Sequence, residues 1–260
     1  YSMSYKQSSS ATASQWSQLY DIINSCNAAI NGISKLDDSC FPSVADKNSL
    51  LGEARCFRGY CNLELLWLYG HWFDKADSPY GIIYRDQISE LSNLMVGRST
   101  VGESYQYILD DLEFAEQNAP DYTTAYRMNK LFAKAMHAKL LLVRGWEGDY
   151  AKALTLVNEL LANNSGWQME TDLAKLYENG WNSKENCFSH YLGDNADSYY
   201  GISGSEFIYS YGFYYNNEFT DLVQEWLDND ARHDVTFGTD RAPETWDTST
   251  KDNILTKLYH

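Results

Sequence analysis

Between Leu50 and Asp74 the chain reads LLGEARCFRGYCNLELLWLYGHWFD, and this stretch constrains the fold more than any other. Leu50, Ala54, Phe57, Cys61, Leu65 and Leu68 recur at steps of three and four, the spacing of one face of an α-helix. From Leu63 to Tyr69 only Glu64 is charged, so the second half of the helix is expected to be buried on most sides. Glu53, Arg55, Arg58 and Glu64 interrupt it too often for a membrane span. Neither arginine has an acid four residues away in the helix, so their partners must come from elsewhere in the fold. Gly70 is a natural stop, and an aromatic loop follows. The expectation is a mainly α-helical domain packed around this helix, with the loop facing a ligand.

Charge narrows the ligand. With 36 acidic and 20 basic side chains the 260-residue chain carries a formal charge of −16. A nucleic-acid binder must neutralise phosphates with a basic surface, so that class is excluded, and anionic lipid surfaces are disfavoured in the same way. A neutral ligand or a protein partner fits. Five cysteines at positions 26, 40, 56, 61 and 187 form no regular framework. Cys56 and Cys61 lie inside the helix, as small core residues do. Cys187 and His190 make a lone Cys-x-x-His without a second pair, so no metal or other cofactor is expected.

Other helices surround the first. Trp16, Tyr20, Ile23, Asn27, Ile30 and Ile33 keep helical spacing, with Ser14 as a possible cap and Asn27 as a buried, satisfied amide. Thr100-Val-Gly-Glu103 is a capping box, followed by Val101, Tyr105, Ile108, Leu112 and Ala115 as an apolar stripe that stops before Pro120. A helix over 127–144 places Leu131, Ala135, Ala138 and Leu142 inward and ends at Gly145. A short turn leads to another, Tyr150 to Ala162, so the two must be antiparallel neighbours. Gly148-Asp149-Tyr150-Ala151-Lys152-Ala153 looks like the start of the second helix of a tetratricopeptide-like hairpin. Beyond Trp167 the period blurs: Leu173 to Tyr177 and Phe219 to Leu227 read as helices, and Asn186 to Tyr191 and Phe207 to Tyr211 as short strands. No linker demands a second domain.

No catalytic constellation stands out. The chain lacks His-Glu-x-x-His, Gly-x-Ser-x-Gly, a phosphate loop and a dinucleotide fingerprint. Asp110, Asp111 and Glu113 are placed on the solvated outer face of their helix. Asp228, Asp230 and Asp234 resemble a calcium loop but lack its Gly and distal Glu. No pair of acids is singled out for glycoside hydrolysis.

What the sequence does supply is aromatic side chains with a polar tip: 21 Tyr and 8 Trp against 10 Phe. Trp72, Phe73, Tyr80 and Tyr84 fall in the irregular segment after Gly70; Trp181, Tyr199, Tyr200, Tyr209, Tyr211, Tyr214 and Tyr215 form a second group. Sugar rings have apolar C–H faces and polar edges, which flat aromatics with polar neighbours match. The candidate ligand-binding residues are therefore Trp72, Phe73, Tyr80, Tyr84, Trp181, Tyr200 and Tyr211; each could equally close the core beneath a long loop.

The order of motifs resembles the SusD/RagB family of outer-membrane nutrient-binding lipoproteins of Bacteroidetes. Glu53-Ala54-Arg55-x-Phe57-Arg58 with Tyr60, Leu65, Tyr69 and Gly70 is similar to that family's E-A-R-F-L-R-A helix. Trp16, Tyr20, Ile23, Asn27 and Ile33 are similar to its W, Y, I, A-N, I helix. Ser104-Tyr105-x-x-Ile108-x-x-Asp111-Leu112-x-x-Ala115 resembles its third motif, and Arg127, Lys130, Ala133, Ala135, Ala138, Lys139, Leu142 and Gly145 its fourth. Asp149-Tyr150-x-x-Ala153, Glu185-Asn186-Cys187-Phe188 and Asp230-Ala231-Arg232 follow in order. Gly70-His71-Trp72-Phe73 departs from the usual G-D-V-P, and Gly59 replaces the usual Ala.

The resemblance implies tetratricopeptide-like hairpins with a loop-rich ligand-binding part and few short strands, as a single domain over 1–260. The family's lipid-bearing cysteine and C-terminal stretch are not seen, so a fragment is expected. It implies a non-enzymatic, lipid-anchored protein on the outward surface of the outer membrane. Such a protein captures an oligosaccharide or other nutrient for a SusC-like TonB-dependent transporter. The alternative is a helical-repeat scaffold for protein interaction, against which stands the presence of one hairpin unit only.

Overall fold

The computed structural model describes residues 10–189 together with 225, 229 and 230. Two compact units are present, the first ending at Gly166 and the second beginning at Trp167. In the first, α1 (Ser10–Lys35), α2 (Val44–Tyr69), α3 (Val101–Asn118), α4 (Lys130–Arg144) and α5 (Asp149–Leu161) pack in chain order. Each helix runs antiparallel to the next. Tyr69 meets Thr12 while Lys47 meets Leu36; Gly59 lies against Asp111 and Gly52 against Ala119. In the second unit α6 (Leu173–Asn179) is followed by a single 3₁₀ turn, Gly180–Asn182. Glu170 and Glu185 tie that unit locally, through Ser183 Oγ and the Glu170 backbone N–H.

Local signals set most boundaries. Ser43 caps α2 through the Asp46 N–H, the Thr100–Glu103 capping box is formed in both directions, and Asn129 caps α4 through the Phe132 N–H. Gly145 ends α4 at φ 64°, where a side chain would be strained. Ser14 caps nothing: α1 already runs from Ser10, and the Ser14 hydroxyl meets Gln18 one turn on. The described part of the proposed strand at Asn186–Tyr191 is turn and bend, and no strand occurs among the described residues. The segments Phe207–Tyr211 and Phe219–Leu227 lie outside them, apart from Glu225, which is helical.

The stripe on α3 is buried as its spacing requires: Val101, Tyr105, Ile108, Leu112 and Ala115 are fully enclosed. On α2 Cys61 and Leu65 of the predicted face are buried, but the inward face is rotated away from its ends. Leu50 and Leu68 are exposed, while Gly52, Cys56, Gly59, Leu63 and Leu66 are buried. The reason is close packing against α3. A Cβ on Gly59 would sit 3.1 Å from Asp111 Cβ, and one on Gly52 would strike the Ala119 backbone. Small residues thus mark the interface that apolar spacing missed. On α4 the predicted Leu131 and Ala138 are buried together with Phe132, Met136, Leu140 and Leu141, while Leu142 faces out. The centre of the unit is shared by α2 and α3, since α4 packs mainly on α3 and α5.

Polar groups pin that centre. Asp111 is 1 % exposed and is not on a solvated face. Its carboxylate accepts from Arg55 Nε at 2.7 Å, and from Arg58 Nε and Nη2 at 2.7 and 2.8 Å. Arg58 also donates to Asn27 Oδ1 at 2.8 Å, so one network ties α1, α2 and α3. Burial works against the Arg58 charge, but the bonds to Asp111 outweigh it and raise its pKa. The partners the sequence required from outside the helix are these.

Candidate functional site

The site is built by the crossing from Gly70 to Thr100. Gly70 has an extended backbone; its lack of a side chain matters because a Cβ would lie 2.7 Å from Leu66 Cδ1 and 2.9 Å from the Leu66 carbonyl. The chain then folds back on the start of α3. His71 N–H donates to Tyr80, Val101 N–H to Ser78 and Gly102 N–H to Ala76. Ser104 Oγ accepts the Ile82 N–H at 3.0 Å and donates to the Thr100 carbonyl. Arg98 donates to the carbonyls of Gly81 at 2.8 Å and Tyr69 at 2.7 Å, satisfying an orphan carbonyl at the end of α2. Tyr105, buried in α3, donates its hydroxyl to the Trp72 carbonyl at 2.9 Å. The aromatic loop is therefore clamped from beneath, a condition for presenting rings at low entropic cost.

Four rings gather at the exit of α2. His71 stacks on Phe73, with centroids 5.5 Å apart and planes at 16°, and lies 4.6 Å from Tyr80. Trp72 meets Phe73 edge-on at 5.6 Å. Phe73 is 67 % exposed and Tyr80 49 %, while Trp72 is half-buried. Three predicted residues, Trp72, Phe73 and Tyr80, are thus brought together, with His71 as a member the sequence reading passed over. Its place directly before Trp72 and Phe73 was the available signal. Asp74 holds this loop through His71 Nδ1 at 3.1 Å and Ser78 Oγ at 2.9 Å.

Tyr84 does something else. Its ring stacks face to face on Tyr107 of α3 at 3.9 Å and 11°, which covers one face and joins the crossing to the helix. Burial pushes its phenol up to about 12, against the pull of Arg58. Trp181 lies in the 3₁₀ turn of the second unit, and its side chain, like Tyr200 and Tyr211, lies outside the described residues. Among the described residues no helix is long and apolar enough to cross a membrane.

The arrangement offers exposed flat rings beside polar edges. A family model matches residues 1–142, more than half of the chain; it is the SusD-like model described as starch-binding and associating with the outer membrane. The chain belongs to the SusD-like family. A SusD-like protein P2 of Formosa agariphila is 26 % identical over 192 residues, 72 % of this chain and 35 % of its own length. The chain spans about a third of the length of the curated relatives it matches, 29 and 35 %. A SusD superfamily structure from Bacteroides thetaiotaomicron VPI-5482 superposes with a TM-score of 0.67 at 21 % identity, covering 93 % of this chain and 54 % of that one. A laminarin-binding SusD-like protein superposes at 0.53 and 19 % identity over 65 % of this chain and 36 % of its own. Both share the SusD-like helical fold.

Proposed function

We propose that this chain binds a neutral oligosaccharide without turning it over, using the ring cluster at the exit of α2. The observation that carries this reading is the clamped group of His71, Trp72, Phe73 and Tyr80 in a SusD-like chain whose family is described as starch-binding. Stacking on sugar C–H faces supplies the affinity, and the Asp74, Ser78 and Tyr80 edges supply hydrogen bonds. On the sequence reading Trp181, Tyr200 and Tyr211 add further ligand contacts. The protein acts lipid-anchored at the outward face of the outer membrane, and it passes its ligand to a SusC-like TonB-dependent transporter. Family membership and the fold shared with a laminarin-binding protein support that setting.

Calorimetric titration with laminarin oligosaccharides and a xylogluco-oligosaccharide tests the site. Trp72→Ala and Phe73→Ala are each expected to weaken binding by about 1–3 kcal/mol, the scale of an aromatic anchor. Affinity unchanged in both variants removes the α2 exit from the site.

The scaffold reading draws on one observation, the outer face of α5. Tyr150, Leu154, Val157 and Leu161 follow at steps of four, three and four, and all are exposed. A peptide held there would leave sugar binding unchanged when these residues are replaced.

A further inference from the structure

A second tract of the same unit has the makings of a ligand site. Between α1 and the 82–96 segment runs a groove of about 330 Å³, lined by Trp16, Tyr20, Asp21, Arg85, Leu94 and Val96 among others. It continues past Asp21 and Arg85 into a recess of about 190 Å³ that reaches Asn24 and Ser89. The larger groove alone is in the range of small-ligand clefts, about 300–1,000 Å³.

Its floor is rigid. Tyr20 donates its hydroxyl to the Ile83 carbonyl at 2.9 Å, and Asn27 holds the Arg85 and Gln87 carbonyls at 3.0 and 3.1 Å. Asn24 Oδ1 accepts the Ser89 N–H at 2.8 Å, which leaves the amide donors of Asn24 uncommitted among the described residues. Arg85 gives Nη1 to the Asn93 carbonyl at 3.1 Å and Nη2 to Leu94 at 2.7 Å. That fixes the guanidinium plane while using two of its five N–H donors. Among the described residues neither Arg85 nor the Asp21 carboxylate has an ion-pair partner, although both line the same cleft. A carboxylate that accepts two O–H groups, and a guanidinium that donates to two adjacent oxygens, match the vicinal hydroxyls of a sugar. Trp16 and Tyr20 offer rings, and the exposed Leu94 and Val96 an apolar wall, for its C–H faces.

We propose that this groove is a second carbohydrate subsite, in which Asp21 and Arg85 grip vicinal hydroxyls of a neutral sugar lying against Trp16 and Tyr20. It takes from the preceding reading only that the ligand is a glycan; its residues are different. Trp16 packs edge-on against Tyr69 at 4.9 Å, and Tyr69 immediately precedes the turn into the ring cluster. One extended oligosaccharide could run from the α2 exit into the groove.

Fluorine NMR of the protein labelled with 5-fluorotryptophan tests this, because each of the 8 tryptophans is a separate reporter. Trp16→Phe and Trp72→Phe assign the two resonances that matter. Laminarihexaose, cellohexaose and a xylogluco-oligosaccharide are titrated to about 10 mM, which detects even millimolar affinity. A saturable shift of the Trp16 resonance is expected, weakened about tenfold or more in Asp21→Ala, as loss of a charged hydrogen-bond acceptor requires. Asp21 is exposed, so this variant folds, and its sugar-free spectrum checks that. If Trp72 responds and Trp16 does not, the groove is overturned and the α2 exit stands. If Trp16 responds alone, the groove stands and the α2 exit falls. Silence at both overturns both, and a Trp16 shift that survives Asp21→Ala overturns the role given to Asp21 and Arg85.

Discussion

At Asp111 one carboxylate answers two arginines from a neighbouring helix, and its removal would leave Arg55 and the buried Arg58 without a counter-charge. Breaking a buried ion pair in this way costs about 3–5 kcal/mol. Asp111→Ala is therefore expected to lower the free energy of unfolding in denaturant by that amount; a loss of less than about 1 kcal/mol would show that the network is not structural. The sequence carried half of this arrangement. It showed that Arg55 and Arg58 lacked partners within their helix, yet Asp111 was read with Asp110 as part of a wet face. Asp111 lies three residues after Ile108 and beside Leu112, so spacing alone put it at the edge of the buried stripe. What decided the matter was the depth of α3 against Gly59, a tertiary fact that no helical wheel contains.

Among the elements, the same close approach makes a paired prediction about glycine. In Gly52→Ala the new methyl would meet the backbone of Asn118 and Ala119, which cannot yield as a side chain can. Overpacking of this kind costs about 1–3 kcal/mol. In α1, Gly32→Ala meets open space and should stabilise the helix by about 0.5–1 kcal/mol. Thermal or denaturant unfolding of the two variants checks both signs.

The α4–α5 hairpin carries a pH signature. Burial alone would raise the Asp149 pKa, but bonds from Arg144 at 2.8 and 2.7 Å and from the Trp146 N–H at 2.8 Å outweigh it and hold it below the ordinary range. A depressed carboxylate stabilises fully above its unfolded pKa of about 4, and that stabilisation is lost as pH falls through the lower folded value. Unfolding followed from pH 7 to 2 should show an acid-labile limb that Asp149→Asn flattens; an identical profile for the variant would refute it. Helix existence, the Thr100–Glu103 capping box and this short hairpin turn were legible because they are local. The inward faces of α2 and α4 were legible only in part: Cys61, Leu65, Leu131 and Ala138 are buried as their spacing implied, but Leu50, Leu68 and Leu142 are as apolar and face out.

For the whole molecule, charge and ring chemistry combine. A chain at −16 repels anionic polymers, and the described ring cluster offers neutral faces, both of which suit the neutral glycan proposed above. The ring cluster after Gly70 was legible in part, because Trp72, Phe73 and Tyr80 fall in one short irregular segment that brings them together. Tyr84 stands apart from that cluster, because its ring stacks on Tyr107 of the following helix, a pairing that the sequence does not mark. The groove beside Arg85 left no sequence signal at all, since its lining comes from two segments joined only in the fold. Calorimetric titration of the purified chain with neutral oligosaccharides, paired with a reducing-sugar assay of the same mixture, tests the central claim most directly. Saturable heat with an affinity in the micromolar to millimolar range, about −8 to −4 kcal/mol, and no sugar released is the predicted result. Release of sugar, or no heat with any neutral oligosaccharide while a protein partner binds tightly, would contradict it.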